Sequence, residues 1–161
     1  MTEAAYILTG SNTGNRDYYL SLARNRLNSE AGGIVFASHV YKSDPWGFES
    51  EHAFLNQVLL INTAMEPDAL LDVILGIELS AGRERSEEGY EDRTLDVDIL
   101  FYGSRVIQTH RLVIPHPRLH LRRFTLAPLC EIAPYFFHPV FKKTISDLYD
   151  RCEDDTRVTR L

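Results

Sequence analysis

Hydrophobic and polar positions alternate along some stretches of the chain and recur at helical spacing along others. Ala4 to Thr9 (AAYILT) reads as a first strand, ended by the turn-rich GSNTGN. Between about Arg16 and Ala31, the residues Leu20, Ala23, Leu27 and Ala31 fall three and four apart, which places them on one helical face. Gly32 and Gly33 supply the stop signal. Ile34 to Ser43 (IVFASHVYKS) is β-branched and aromatic and predicts one second strand. DPWGFESEH is a loop by its proline, glycine and polar content, and Phe54 to Met65 is a third strand. Glu66 and Pro67 open a second helix, with proline where its missing N–H does least harm, and Leu70, Ile74, Ile77 and Ala81 line its buried side. RERSEEGYED reads as a solvated, mobile loop ahead of a fourth strand. From Ser104 the chain adds a short strand around Val106, the proline-framed IPHPRL, a helical RRFTLAPLCEIA and a last helix near Thr144 to Cys152. The order β-α-β-β-α-β is the ferredoxin-like arrangement. The expectation is one α+β domain over residues 1–161, an antiparallel sheet with helices packed on one face and extra C-terminal elements.

The fourth strand, RTLDVDILFYG from Arg93 to Gly103, carries the first chemical signal. Strict alternation puts Leu95, Val97, Ile99 and Phe101 on one face, and Thr94, Asp96, Asp98 and Leu100 on the other. Aspartate is a poor strand former. Two carboxylates with α-carbons about 6.5–7 Å apart repel by about 2–2.5 kcal/mol at an effective dielectric near 20. A solvated outer face would dilute that repulsion, but Leu100 on the same face and a wholly apolar opposite face argue for a metal or phosphate site instead. Oxygen-only donors suit Mg²⁺ or Mn²⁺ rather than zinc, and magnesium on one or two carboxylates usually completes its shell with water and substrate phosphates. A nucleoside triphosphate substrate follows.

Composition narrows the partners. With a net charge of −6, the surface as a whole does not attract nucleic acid or membrane. The basic residues are nearly all arginines, eight of them between Arg83 and Arg123, and the guanidinium fork suits phosphate. No G-x-x-x-x-G-K-[ST] loop is present, so side chains must grip phosphates; Arg83, Arg85, Arg93, Arg111 and Arg122 are the available forks. GSNTGN lacks the cradle pattern and reads as a strand-to-helix turn. Two cysteines, Cys130 and Cys152, without metal-type spacing read as thiols of a reducing compartment. The start lacks the features of a signal peptide and no apolar run is long enough to span a bilayer, so a cytoplasmic protein is expected.

ELSAGRER, DRTLDVDILFYG and RLVIPHPRLHLRRFTLAPLCEIAP, in this order and spacing, resemble the 6-hydroxymethyl-7,8-dihydropterin pyrophosphokinase family of the folate pathway. AYILTGSNTGN, YKSDPWG and AFLNQVL fit the same family, so the resemblance covers nearly the whole chain. It implies transfer of the β,γ-diphosphate of ATP to the pterin hydroxymethyl group with release of AMP, by a monomer. Two Mg²⁺ ions would sit on Asp96 and Asp98. The resemblance makes Arg83 and Arg93 catalytic together with the aspartates, and adds Glu78, Arg85, Ile99, Arg111, His116 and Arg122 as ATP contacts. For the pterin it implies Ser43, Trp46, Phe54, Asn56, Tyr90 and Phe124. On the residues alone, His116 reads equally as a turn histidine between Pro115 and Pro117, and each aromatic as ordinary core. The chain departs from the family pattern at Tyr90-Glu91-Asp92-Arg93, where W-G-P-R is common, at Phe54 for tyrosine, at Pro117 for an aromatic and at Arg123 for glycine.

Three rival readings share parts of this pattern. A βαββαβ nucleic-acid module requires exposed aromatics on a basic sheet, where this chain has Asp96 and Asp98. A two-metal cyclase or polymerase-like palm shares the strand carboxylates but not the Asn56 and Phe124 pocket. A catalytically weakened relative would bind nucleotide or pterin without turnover.

Overall fold

The computed structural model describes residues 1–45, 52–82 and 94–161. Its elements are β1 (Glu3–Ser11), α1 (Arg16–Glu30), β2 (Gly33–Ala37), β3 (Tyr41–Ser43), β4 (Phe54–Thr63), α2 (Pro67–Ser80), β5 (Asp96–Tyr102), β6 (Ile107–Gln108), β7 (Val113–Ile114), α3 (Arg123–Ile132), α4 (Ile145–Asp150) and β8 (Val158–Arg160). Trp46, Arg83, Arg85, Tyr90 and Arg93, and with them the expected loop from Arg83 to Asp92, lie outside the described residues.

The main sheet is antiparallel in the order β5-β1-β4-β3-β8, with β2 also on β4. Counting β2 and β3 as one interrupted strand, this is the ferredoxin-like order. α1 and α2 cover one face: Leu27, Leu70, Ile74 and Ile77 pack on Ile7, Leu59, Ile61, Val97 and Ile99. The expected C-terminal helices cover the other, where Leu119, Leu126, Leu129, Ile145 and Leu148 pack on Tyr6, Leu8, Val58 and Leu100. No helix among the described residues is long and apolar enough to cross a membrane.

Three local features depart from simple alternation. The expected single strand from Ile34 to Ser43 is broken at Ser38–Val40, where Ser38 keeps one backbone bond to β4, from its N–H to the Val58 carbonyl at 2.9 Å, and makes its other bonds to β4 through side chains. Its hydroxyl accepts from the Val58 N–H at 3.0 Å, and its carbonyl accepts from Gln57 Nε2 at 2.7 Å. In β5, Ile99 faces Ile7 but Phe101 faces Tyr6, so Leu100 is an extra residue in a bulge. Phe101 therefore joins Leu100 in the second core rather than Val97 and Ile99 in the first, against the strict alternation expected. Third, β1 runs through Gly10 and Ser11, which were expected in the turn; α1 nevertheless begins at Arg16 as expected, capped by Asn15, whose side chain accepts from the Tyr18 N–H at 3.1 Å.

At the end of α1 the chain passes hard against β4. A Cβ at Gly32 would lie 2.0 Å from the Asn62 carbonyl oxygen and 2.9 Å from Thr63 Cα. Thr63 Oγ1 donates to the Ala31 carbonyl at 2.7 Å in the same junction, so the backbone has little room to yield. Gly32→Ala is expected to lose about 1–3 kcal/mol of stability, read as a lower denaturation midpoint with an unchanged slope.

Candidate active site

The registers of five strands align one row of residues across the sheet. Asp96 on β5 faces Gly10 on β1, Gly10 faces Asn56 on β4, Asn56 faces Tyr41 on β3, and Tyr41 faces Arg160 on β8. Directly opposed residues share a face, so these five look out on the same side. Asp98 occupies the adjacent row with Leu8 and Val58, and Phe54 and Ser43 the row on the other side. With strands about 4.8 Å apart, Asn56 stands about 10 Å from Asp96. Between them Gly10 presents no side chain. A Cβ there would come within 2.4 Å of Asn56 Nδ2, so glycine is what lets Asn56 lie flat over β1.

Asn56 is 4% exposed, and its Nδ2 donates to the Thr9 carbonyl at 3.4 Å. Its Oδ1, like the hydroxyl of the buried Ser43, has no hydrogen-bond partner among the described residues. Buried acceptors without partners are rare in native proteins. Two of them in neighbouring rows leave this surface able to take a polar ligand edge.

Asp96 and Asp98 are both partly buried. Between them the Val97 N–H donates to Glu78 Oε2 at 2.9 Å. Glu78, 2% exposed and at the end of α2, thus clamps the backbone that carries the two carboxylates, and Ile99 follows as a core residue of the same strand. Two hard oxygen donors two residues apart fit a magnesium ion that keeps water and phosphate in its remaining positions. Among the described residues, no group of three or more His, Cys, Asp or Glu forms a protein-only cage.

The IPHPRL segment closes this end of the sheet. The His116 N–H donates to the Leu100 carbonyl at 3.0 Å, and His116 Nδ1 accepts from the Arg118 N–H at 3.1 Å, which assigns the imidazole proton to Nε2. Burial lowers the His116 pKa to about 4, helped by the Arg122 and Arg118 charges and opposed by Asp96. His116, Arg122 and Asp96 are therefore electrostatic neighbours. Arg122, 7% exposed, lays its guanidinium over the Phe124 ring at 5.5 Å from the centroid. Arg111 is not gathered into this cluster. It lies beyond β6 and pairs with α2, 2.5 Å from Asp72 and 3.7 Å from Asp68.

Asp96, Asp98, Glu78, His116, Arg122, Phe124, Asn56, Ser43 and Phe54 are thus placed at this end and face of the sheet or immediately against it. Sequence reasoning missed Gly10 and Tyr41. Gly10 was hidden in an apparent turn, and Tyr41 Oη is held by Glu131 of α3, to which it donates at 2.8 Å.

A carboxylate pair, a row of polar groups over a glycine floor, and an arginine stacked on an aromatic are the kinds of groups that phosphate-handling enzymes use. Residues 6–134 match the family model described as 7,8-dihydro-6-hydroxymethylpterin-pyrophosphokinase (HPPK), and the chain belongs to that family. It is 42% identical over 133 residues to the 2-amino-4-hydroxy-6-hydroxymethyldihydropteridine pyrophosphokinase of Bacillus subtilis, covering 82% of this chain and 79% of the relative. Its identity to the enzyme of the same name from Porphyromonas gingivalis is 37% over 137 residues, covering 83% and 92%. Among solved structures, the wild-type HPPK-DHPS of Plasmodium falciparum superimposes with a TM-score of 0.78 at 17% identity, over 94% of this chain and 45% of that one. An HPPK-DHPS in complex with substrates gives 0.75 at 15% identity, over 92% and 43%. The chain thus spans less than half of those longer chains, and they share its fold.

The His116 environment generates a pH prediction. Folded His116 takes a proton only near pH 4, against 6.5 for the free side chain. Between those values the unfolded chain binds more protons, so stability is full above about 6.5 and falls as the pH drops toward 4. His138, also lowered to about 4, chiefly by burial, acts in the same direction. NMR titration should give a His116 midpoint near 4; a midpoint near 6.5 would show that the ring is not buried against the Arg122 cluster.

Proposed function

We propose that this chain transfers the β,γ-diphosphate of ATP to the hydroxymethyl group of 6-hydroxymethyl-7,8-dihydropterin and releases AMP, as a step of folate biosynthesis. The observation that carries the proposal is the row Asp96–Gly10–Asn56. A flat bicycle lying over Gly10 with its polar edge on Asn56 Oδ1 and Ser43 Oγ would direct its other end toward the carboxylates. That polar edge satisfies both buried acceptors through its N–H groups, and Phe124 offers a ring face to stack on.

In the reaction the pterin hydroxyl oxygen forms a bond to the β-phosphorus, the bond from that phosphorus to the α-phosphate oxygen breaks, and the hydroxyl proton leaves to solvent. AMP carries away the bridging oxygen. Two Mg²⁺ ions on Asp96 and Asp98 would align the hydroxyl and neutralise phosphate charge. The rest is positioning, as is usual where little covalent work falls to the protein. Glu78 fixes the backbone between the aspartates. Neutral His116 offers an Nε2–H donor to a phosphate oxygen at neutral pH without adding charge. Arg122 supplies a buried guanidinium fork. Arg83, Arg85 and Arg93 complete the grip on the triphosphate in this reading, Arg111 takes an outer nucleotide contact, and Trp46, Phe54 and Tyr90 wall the pterin. Residues 1–161 act as one pyrophosphokinase domain, as a cytoplasmic monomer without nucleic acid or membrane.

The purified protein with Mg-ATP should yield AMP only when the pterin is added. ADP, a cyclic nucleotide, or bound ATP without turnover would favour a different two-metal enzyme or a catalytically weakened relative. Asp96→Ala and Asp98→Ala should each reduce turnover by about a thousandfold or more and leave the fold intact by circular dichroism. Near-normal activity in either would refute the metal assignment. Gly10→Ala should raise the pterin KM at least tenfold while leaving ATP binding within about twofold, since the added methyl displaces only Asn56.

A further inference from the structure

The family match ends at residue 134, yet the chain continues into β8, which pairs with β3 at the pterin end of the sheet. The path of this tail is fixed at two points. At its start Asp154 is tied to Arg123, the residue between Arg122 and Phe124. The Arg123 N–H donates to Asp154 Oδ2 at 2.9 Å and Arg123 Nε to the Asp154 carbonyl at 2.8 Å. Asp154 Oδ1 then accepts from the Thr156 N–H at 3.0 Å and from the Thr156 hydroxyl at 2.5 Å, turning the chain toward β3. Burial alone would raise the Asp154 pKa, but the bonds from Thr156 and Arg123 more than offset it and hold the carboxyl below its usual range.

At its end the tail lies along β3. The Leu161 N–H donates to the Val40 carbonyl at 2.9 Å and the Asp44 N–H to the Arg157 carbonyl at 3.4 Å. Hydrogen-bonded and non-bonded pairs alternate in an antiparallel ladder. Lys42/Thr159 is therefore a bonded pair, and Ser43/Val158 and Tyr41/Arg160 are the close, non-bonded ones, with α-carbons about 4.5 Å apart. Val158 stands beside Ser43 on the face that carries Asn56 and Phe54. Ser43 is only 2% exposed although, without β8, it would lie on an open sheet edge.

We infer that residues 154–160 are a strap that sets the spacing between the two walls of the pterin pocket, Phe124 at the start of α3 and Ser43 at the end of β3. The inference rests on the pterin reading given above. A cap needed only to protect a sheet edge requires strand pairing alone. A three-residue strand is also shorter than most, and here the Arg123–Asp154 tie holds its entry. The strap acts through Ser43 and Phe124, so its residues are positioning residues.

The test uses the full chain with Mg-ATP and the pterin. Asp154→Ala should raise the pterin KM about tenfold, with the ATP KM within about twofold and kcat within about threefold. Thr159→Pro, which removes the ladder bond to Lys42, should do the same, and Thr159→Val should behave as the parent. Arg123→Ala combined with Asp154→Ala should raise the pterin KM beyond either single change, because Arg123→Ala removes only the Nε bond to the Asp154 carbonyl, Asp154→Ala removes only the bonds of the carboxylate, and the double variant loses both halves of the tie. If Thr159→Pro fails to fold, Val158→Ala, which trims only the side chain beside Ser43, is read for the same asymmetry between the two substrates. Variants that lower the melting temperature but leave the ratio of the two KM values unchanged would reduce the tail to an edge cap and overturn the inference. Absence of pterin-dependent AMP from the parent protein would instead refute the functional reading on which it rests.

Discussion

The carboxylates of β5 and the Asn56 amide of β4 take their relative places from the register of β1 between its two neighbours. Because β1 pairs with β4 on one side and β5 on the other, one residue of β1 fixes the offset between Asn56 and Asp96. Slipping either ladder by one residue would turn a whole strand inside out, carrying its apolar residues to the wrong face. Two cores hold it against that slip: Ile7 and Val97 face α1 and α2, while Leu8, Val58 and Leu100 face α3 and α4. The register that spaces Asn56 from Asp96 is thus held by hydrophobic burial on both sides of the sheet, to which the Glu78 bond to the Val97 N–H adds a local clamp.

The bulge in β5 serves the same division. Ahead of Leu100 the strand alternates strictly, so its carboxylates share a face opposite Val97 and Ile99. At the bulge Leu100 and Phe101 both enter the second core, where Phe101 meets Tyr6 edge-on at 6.2 Å and Phe136 at 4.6 Å. One strand therefore carries chemistry at one end and an aromatic anchor at the other. The anchor also presents the Leu100 carbonyl that receives the His116 N–H.

What the sequence made legible was whatever depends on local spacing. The two long helices, the aspartate strand and the ferredoxin-like order follow from periodicity and turn residues within a few positions of one another. What it hid depends on partners distant along the chain. The break at Ser38 arises from Gln57 and Val58; the bulge at Leu100 is a property of the β1 ladder; β8, three residues reading VTR, has no apolar run to announce it. Gly10 looked like turn chemistry because its neighbour Asn56 is in another strand. Arg111 had the same standing as Arg122 on residue type alone, yet one is paired with Asp72 on α2 and the other is buried beside His116 and Phe124. Resemblance to the pyrophosphokinases supplied Asn56, Phe124 and His116, which spacing alone would have left as core or turn.

Leaving Asn56 Oδ1 and Ser43 Oγ without partners among the described residues has a consequence for selectivity. A pocket that rejects molecules by size gains only modest discrimination from each missing or extra group. One that buries unfulfilled acceptors penalises any occupant lacking the matching donors, because the acceptors then lose water and gain nothing; such sites discriminate by about 10⁴–10⁵. In the proposed reading, molecules with the outline of the pterin but a bare edge would be excluded even where they fit between the walls without strain.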